Sequence, residues 1–149
     1  QYSFMEKNKN INILGTNSKD FFNKNYKFKI TNMPLDSDKI RKNLIKKNCL
    51  IHSSLIIRKN FFKKVGLYDT NFLRCQDYEI LLRGRDKFKY ANIKKVLVIR
   101  NISKKRFKFI DVYLSCKARI MHCKNLKEFC IALISSFKDL VIKILSLIT

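Results

Sequence analysis

Hydrophobic periodicity changes near residue 107, and this change limits the fold more than any other feature of the chain. Before it, short apolar runs alternate with helical patterns and end at turn residues, which is typical of an α/β sheet. After it, apolar residues recur at helical spacing almost to the C-terminus. We therefore predict an α/β unit at residues 1–107, followed by a helical, amphipathic tail at residues 108–149.

Strands of the α/β unit are predicted where apolar residues run together between polar segments. The first is the buried run "INILGTN" at 11–17. The second is "CLIHSSLIIR" at 49–58, whose middle is polar. Two further strands are expected in "FKYANI" at 88–93 and "KKVLVIR" at 94–100.

Helices of the α/β unit are predicted where caps flank apolar positions at helical spacing. Asp36 or Ser37 can cap one helix, and a second, short helix should end at Gly66. A third begins within "RCQDYEILLRG" at 74–84. The positions predicted to be apolar and inward-facing are Ile40, Leu44, Ile45, Phe61, Phe62, Val65, Tyr78, Leu81 and Leu82.

The tail has two interpretations. One apolar stripe runs from Leu126 for about six turns of helix, and it consists of Phe129, Cys130, Leu133, Ile134, Phe137, Leu140, Val141, Ile144, Leu145 and Ile148. Lys138, Asp139 and Lys143 interrupt it, so a membrane-spanning helix is not expected. The stripe then either packs on the α/β unit or lies in the plane of an anionic membrane surface.

The charge of the chain has two explanations. With 33 basic and 11 acidic residues the formal net charge is +22, which favours an anionic partner such as nucleic acid, an acidic membrane or a phosphorylated substrate. However, the excess of Lys over Arg and the abundance of Asn, Ile and Phe are also typical of AT-rich coding sequence. Charge alone therefore does not identify the partner.

The five cysteines argue against two classes of protein. Their odd number and the lack of a CxxC pair argue against a zinc ribbon and against a disulfide framework, and they suit a reducing cytoplasm. Cys116, Cys123 and Cys130 recur every seven residues and are predicted to be buried thiols on one helical face.

Asp77 is the residue on which a catalytic interpretation depends. Taken alone, it is a good N-cap for the helix that follows, because its carboxylate can accept a bond from a free N–H of the first turn. His52, taken alone, is equally well explained as a hydrogen-bonded interior histidine. Both interpretations remain open on spacing alone.

The order of several unusual segments favours the catalytic interpretation of Asp77. "IHSSLIIR", "VGLYD", "QDYEILLR" and a strand ending in Arg100 follow one another in the chain. Together they resemble the acceptor-side half of family 2 glycosyltransferases of the GT-A fold, over roughly residues 1–105. The matching residues are His52, Ser53, Ser54, Arg58, Gly66, Tyr68, Asp69, Gln76, Asp77, Tyr78, Glu79, Arg83 and Arg100.

This resemblance implies roles for particular residues. Asp77 corresponds to the general base of inverting members, which takes the proton of the acceptor hydroxyl as the hydroxyl attacks the anomeric carbon. His52 and Ser53 would line the sugar-phosphate cleft. Gln76 stands where many relatives have glutamate. Arg83 and Arg100 have two possible roles. They bind substrate, or they have a structural role, in which they brace the sheet or pair with Asp77 or Glu79.

The resemblance also implies what the chain lacks. The family binds its nucleotide-sugar donor through an N-terminal half with an Asp-x-Asp motif that holds Mg²⁺ or Mn²⁺. The only such letters here, "DSD" at 36–38, are predicted to cap a helix. With Gln1 as the first residue, we expect a fragment without the donor-binding half, and therefore without activity of its own.

The expected whole protein transfers a sugar from the nucleotide-sugar donor to a glycan or lipid-linked acceptor in surface polysaccharide synthesis. It would be cytoplasmic, or peripheral on the inner membrane face. A basic module that binds nucleic acid or a membrane surface is the alternative, although no zinc spacing, RNA-binding aromatic motif or phosphate-binding glycine loop supports nucleic acid. An inactive remnant of the transferase fold is the third interpretation.

Overall fold

A computed structural model describes residues 1–22, 27–102 and 109–148, with the side chains of 146–148 left out. The boundary predicted between residues 107 and 108 and the side chain of Ile148 lie outside these described residues. The described chain is mixed α/β, as predicted. Its helices are α1 (Tyr2–Lys7), α2 (Ser37–Leu44), α3 (Lys59–Val65), α4 (Gln76–Gly84), α5 (Phe109–Met121) and α6 (Leu126–Ile148), and its strands are β1 (Ile13–Phe22), β2 (Lys27–Ile30), β3 (Ile56–Ile57) and β4 (Tyr90–Ile102).

The sheet is four-stranded and mixed, with β1 in its middle. β4 runs parallel to β1 along the whole of β1, from Ile13 opposite Tyr90 to Phe22 opposite Ile102. β2 and β3 pair antiparallel with opposite ends of β1. Since a strand has two edges, β2 and β3 share the edge that β4 leaves free.

The two strands predicted at 88–93 and 94–100 form the single strand β4. The pairing moves from Thr16–Ile93 to Asn17–Val96, so Lys94 and Lys95 form a bulge where the two predicted strands meet. β1 is long enough to pair on both sides of this bulge, which is why the chain does not need to turn.

The prediction of a strand at 49–58 is wrong. His52–Ser54 form a turn of 3-10 helix, and only Ile56–Ile57 pair with β1. The Ser54 hydroxyl accepts a hydrogen bond from the Thr16 N–H at 3.0 Å and donates one to the Ile51 carbonyl at 2.8 Å. A serine side chain thus takes the place of a strand carbonyl beside β1.

The three predicted helices of the α/β unit are confirmed, with the start of α2 and the end of α3 as predicted. Asp36 caps α2, its Oδ1 accepting from the Lys39 N–H at 2.9 Å. Ile40 and Leu44 of α2 are fully buried. Gly66 ends α3 with φ of +89°, a left-handed conformation that glycine adopts without strain.

The tail shares its core with the α/β unit. Leu114 and Ala118 of α5 and Ala132 of α6 belong to the same apolar cluster as Phe72 and Tyr78. The Tyr78 hydroxyl donates to the Leu44 carbonyl and accepts from Arg119 Nε at 3.1 Å. α4 is therefore the element on which the tail packs.

α6 packs on the domain through a face that differs from the predicted one. Ala132 and Ser136 face inward, whereas the apolar stripe, including Leu133, Ile134 and Phe137, is exposed. The burial predicted for the three evenly spaced cysteines is likewise wrong, because Cys116 and Cys123 are half-buried and Cys130 is exposed. None of the described helices has the length and apolarity that crossing a membrane requires.

Candidate functional site

The start of α4 presents Asp77, but not as the helix cap. Cys75 occupies the N-cap position with φ of 61°, and its side chain makes no capping bond. Asp77 is instead the second residue of the helix, where a carboxylate still faces the positive end of the helix dipole. A left-handed conformation is uncommon for a residue other than glycine, so the chain is strained at Cys75, directly before the first residue of α4.

Four of the six predicted site residues line one cavity of about 340 Å³, the sheet-side cavity. They come from the 3-10 turn, the start of α4 and the far half of β4. The cavity is lined by Met33, Asn48, Leu50, Ile51, His52, Ser53, Asp77 and Arg100. The fold thus brings together residues that lie up to 48 positions apart, from His52 to Arg100.

The Asp77 carboxylate is available for a further contact. Asn48 Nδ2 donates to its Oδ2 at the long distance of 3.4 Å. In the part of the chain that the structure describes, no Lys, Arg or His nitrogen makes an ion pair with it. Asp77 is half-buried. A carboxylate with this little engagement retains oxygen lone pairs for a proton.

Tyr68 stands beside the same carboxylate and was not among the predicted site residues. Its hydroxyl lies 3.1 Å from His52 Nε2. Burial raises the pKa of Tyr68, and the negative charge of Asp77 raises it further. Tyr68 is therefore a neutral hydroxyl near Asp77, and its place in the "VGLYD" segment was the signal that could have identified it.

Arg100 reaches the sheet-side cavity while held in an ion pair. Its Nε and Nη2 lie 2.8 and 2.5 Å from the two carboxylate oxygens of Asp20 on β1. The hydrogen bond from Arg100 holds the pKa of Asp20 below its usual range, against the opposing effect of burial, and a bond from Ser18 adds to the lowering. The pair braces the sheet and fixes the guanidinium at the cavity wall.

Arg83 lies away from the sheet-side cavity. It donates to both carboxylate oxygens of Glu79, at 2.9 and 2.7 Å, and to the carbonyls of Val65 and Leu67 at 2.8 and 3.0 Å. Burial raises the pKa of Glu79, but hydrogen bonds from His122 and Arg83 outweigh it and hold that pKa below its usual range. This places Arg83 in the role of binding the end of α3 to α4.

Gln76 begins α4 and is half-buried. It does not line the sheet-side cavity. Its side chain has no described hydrogen bond that would assign it a part in the site. Of the six predicted residues, Gln76 and Arg83 are thus the two that the fold leaves outside.

A second cavity, the tail-side cavity, opens on the other side of Asp77. Its volume is about 430 Å³, and it lies between α4 and the tail. Asn48 and Asp77 line both cavities. The remaining lining residues are Lys47, Cys75, Tyr78, Asp111, Val112, Ser115, Arg119, Asp139, Ile142 and Lys143. Asp77 therefore lines one cavity together with the 3-10 turn and Arg100 of the sheet, and another together with residues of the tail.

The residues present do not fit a metal centre. Within residues 1–22, 27–102 and 109–148, no three His, Cys, Asp or Glu side chains are grouped so that they could hold an ion. Asp36 of "DSD" is the confirmed cap of α2, and Asp38 lies 3.9 Å from Arg41. The described part of the chain therefore assigns no side chain to Mg²⁺ or Mn²⁺.

Comparison of the chain with protein-family models, with curated proteins and with solved structures finds no significant match.

Proposed function

We propose that this chain is the acceptor side of an inverting glycosyltransferase of the GT-A type, with Asp77 as its general base. The donor would be a nucleotide sugar, and the acceptor a hydroxyl of a glycan or of a lipid-linked sugar in surface polysaccharide synthesis. The enzyme would work in the cytoplasm. Because the Asp-x-Asp letters at 36–38 lie at the start of α2, where Asp36 is the cap, the proposal assigns donor and metal binding to a further part of the protein.

One observation carries the proposal. The motif order singles out His52, Ser53, Asp77 and Arg100, and these four residues line the same cavity. They come from three separate segments of the chain, so adjacency in sequence does not account for their meeting. A concave site with a few convergent polar groups is the usual form of a substrate site.

The reaction requires Asp77 mainly to be positioned where it can take the proton of the acceptor hydroxyl. The acceptor oxygen forms a bond to the anomeric carbon, the bond from that carbon to the diphosphate breaks on the opposite face, and the hydroxyl proton passes to a carboxylate oxygen of Asp77. Transfer to a positioned carboxylate contributes about 10²- to 10⁴-fold to the rate. The first turn of α4 holds Asp77 for this step.

The neighbours of Asp77 would bind and orient substrate. His52 and Ser53 are exposed at the mouth of the sheet-side cavity, where their polar atoms can meet sugar hydroxyls or phosphate oxygens. Tyr68 fixes the imidazole of His52 through their 3.1 Å contact. Arg100, held by Asp20, supplies positive charge without free movement.

The first test is Asp77→Asn in the protein that contains the donor-binding half. We expect sugar transfer to fall by at least about 10²-fold, since the amide cannot take the proton. Asp38→Asn is a matched control, because Asp38 is also the second residue of a helix. Both variants lose a similar interaction with a helix dipole, but only Asp77→Asn should lose transfer. Activity within a few-fold of the unchanged protein would reject Asp77 as the base.

The second test uses the 149 residues themselves. Uridine diphosphate with Mn²⁺ should leave their melting temperature unchanged, because the proposal places donor binding elsewhere. A ligand that bound the folded state would raise the melting temperature by mass action. A clear increase would contradict this division of the enzyme into a donor side and an acceptor side.

A further inference from the structure

The inward face of α6 is polar. Ser136 is 7% exposed, and its hydroxyl accepts a hydrogen bond from Arg119 Nη1 at 2.9 Å. Asp139 pairs with Arg119 Nη2 at 2.5 Å, and Glu128 pairs with Arg85 Nη2 at 2.8 Å. Because both arginines are almost fully buried, they need these partners. Satisfying them orients α6 with its small and polar residues toward the domain.

The outward face of α6 is apolar as a result. Phe137 is 67% exposed and Ile134 is 62% exposed. At 100° per residue, the outward apolar residues cover about 220° of the helix circumference. They are Leu126, Phe129, Leu133, Ile134, Phe137, Val141, Ile142, Ile144 and Leu145. A contiguous apolar surface of this kind marks a site of interaction.

Charge is divided between the two sides of the tail. The three acids of α5 and α6 all take part in ion pairs with arginines, Asp111 with Arg74 and the other two with Arg85 and Arg119. Lys127 and Lys138 are exposed, and around the helix both lie in the outward sector between Ile134 and Ile142. The outward side of α6 therefore carries two basic residues and neither of the acids of α6.

We infer that the outward face of α6 lies in the plane of an anionic lipid bilayer and inserts its apolar side chains among the acyl chains. A helix with a broad apolar face and basic residues beside it binds in this way. Contacts with Arg85 and Arg119 occupy the polar side of α6, so the apolar side is the one that faces away from the domain. Lys127 and Lys138 would meet lipid phosphates at the membrane surface.

A bilayer suits this face better than a second copy of the chain. A helix that pairs with one partner helix needs only the narrow seam of a coiled coil. The outward face of α6 is wider than such a seam, and the two lysines on the outward face of one copy have no acidic counterpart on the same face of another. An anionic lipid surface is both broad and oppositely charged. This inference does not depend on sugar transfer.

Vesicle binding of the 149-residue chain tests the inference. The probe is a vesicle of phosphatidylglycerol and phosphatidylcholine, compared with one of phosphatidylcholine alone. Phe137→Asp should weaken binding to the anionic vesicle by at least about tenfold, because it removes one large inserted side chain. Leu67→Asp, at a 75% exposed position away from α6, adds the same charge and should change binding less than about twofold.

Lysine substitution measures the electrostatic part. Lys127→Gln and Lys138→Gln should each weaken anionic binding about fivefold, the usual effect of one basic residue near such a surface. Lys46→Gln, an exposed lysine near the end of α2, is the matched control. Equal losses at all three positions would show that the net charge alone attracts the chain, and would overturn the inference.

Cys130 reports which face is covered, because it is exposed among the outward residues of α6. Its alkylation, followed by mass spectrometry, should slow when anionic vesicles are added. The slowing should persist at about 0.5 M salt, where attraction between exposed charges is screened within a few ångströms. An unchanged rate on bound protein would show binding through another surface.

Sedimentation without lipid tests whether the outward face of α6 binds a second copy of the chain instead of a bilayer. A concentration-dependent dimer that Phe137→Asp abolishes, in a chain that does not bind vesicles, would assign the face to a second copy and overturn the inference. A monomer that binds anionic vesicles through Phe137 would support it.

Discussion

In α2 the residues that face the domain are the apolar Ile40 and Leu44, whereas in α6 they include Ala132, Ser136 and Asp139. Both helices are amphipathic in sequence. α2 lies over an apolar cluster, and its apolar stripe completes that cluster. α6 lies beside a buried guanidinium, and its polar residues complete the hydrogen bonds of that group. The face a helix buries thus depends on what its neighbour lacks.

The largest expected difference comes from one substitution made in both helices. Ile40→Ala should lower the free energy of unfolding by about 2 to 5 kcal/mol, because it leaves a cavity in the core. Ile134→Ala should change it by less than about 0.5 kcal/mol, because its side chain is mostly in solvent. Urea unfolding of the two variants measures both values. A comparable loss at Ile134 would show that the outward face is covered in solution.

A smaller effect is expected from the inward polar contact of α6. Asp139→Asn should lower the free energy of unfolding by about 1 to 2 kcal/mol, since it weakens the bond to Arg119 in a partly exposed position. Glu6→Gln, at an exposed ion pair with Lys9, is the control and should lower the free energy of unfolding clearly less than Asp139→Asn does. If the two costs are equal, α6 is not held by its polar face.

The smallest effect concerns acid and Glu128. Burial raises the pKa of Glu128, but the hydrogen bond from Arg85 and that from the Lys124 N–H hold it below its usual range. Because the folded pKa is the lower one, this stabilisation is complete above about pH 4.5, the unfolded value, and is lost as the pH falls through the folded value. The α2 face, which is apolar, has no such dependence.

Glu128→Gln tests this dependence. The difference in free energy of unfolding between Glu128→Gln and the unchanged chain should be smaller at about pH 3.5 than at about pH 6, since protonation already removes the charge. Urea unfolding at the two pH values measures it. A difference that stays constant would mean that the Glu128 charge does not hold α6.

Local signals predicted the elements whose causes are local. Asp36 as a cap and Gly66 as a helix end were correct because each acts on its own few neighbours. The pairing of Arg100 with Asp20 joins residues 80 positions apart, and nothing in either segment indicates it. The strand predicted at 49–58 failed for a similar reason, since Ser54 bonds to Thr16, 38 positions earlier.

In the candidate site, too, local motifs were predictable from the sequence and long-range contacts were not. Motif order identified His52, Ser53, Asp77 and Arg100, and the fold places them in one cavity. Asn48, which contacts Asp77, carries no motif and becomes visible only when α4 is placed beside residue 48. The direction of α6 was open in the sequence, because periodicity defines an apolar face without defining what that face meets.

Asn48 and Asp77 form a wall between two cavities, and this has a consequence for inhibitor discovery. A small fragment in the sheet-side cavity and another in the tail-side cavity would approach the same carboxylate from opposite sides. A short linker over that wall would make the second binding event intramolecular and add affinity without new contacts. Screening each cavity separately, and then joining the two best fragments, is a direct route to a ligand that blocks Asp77.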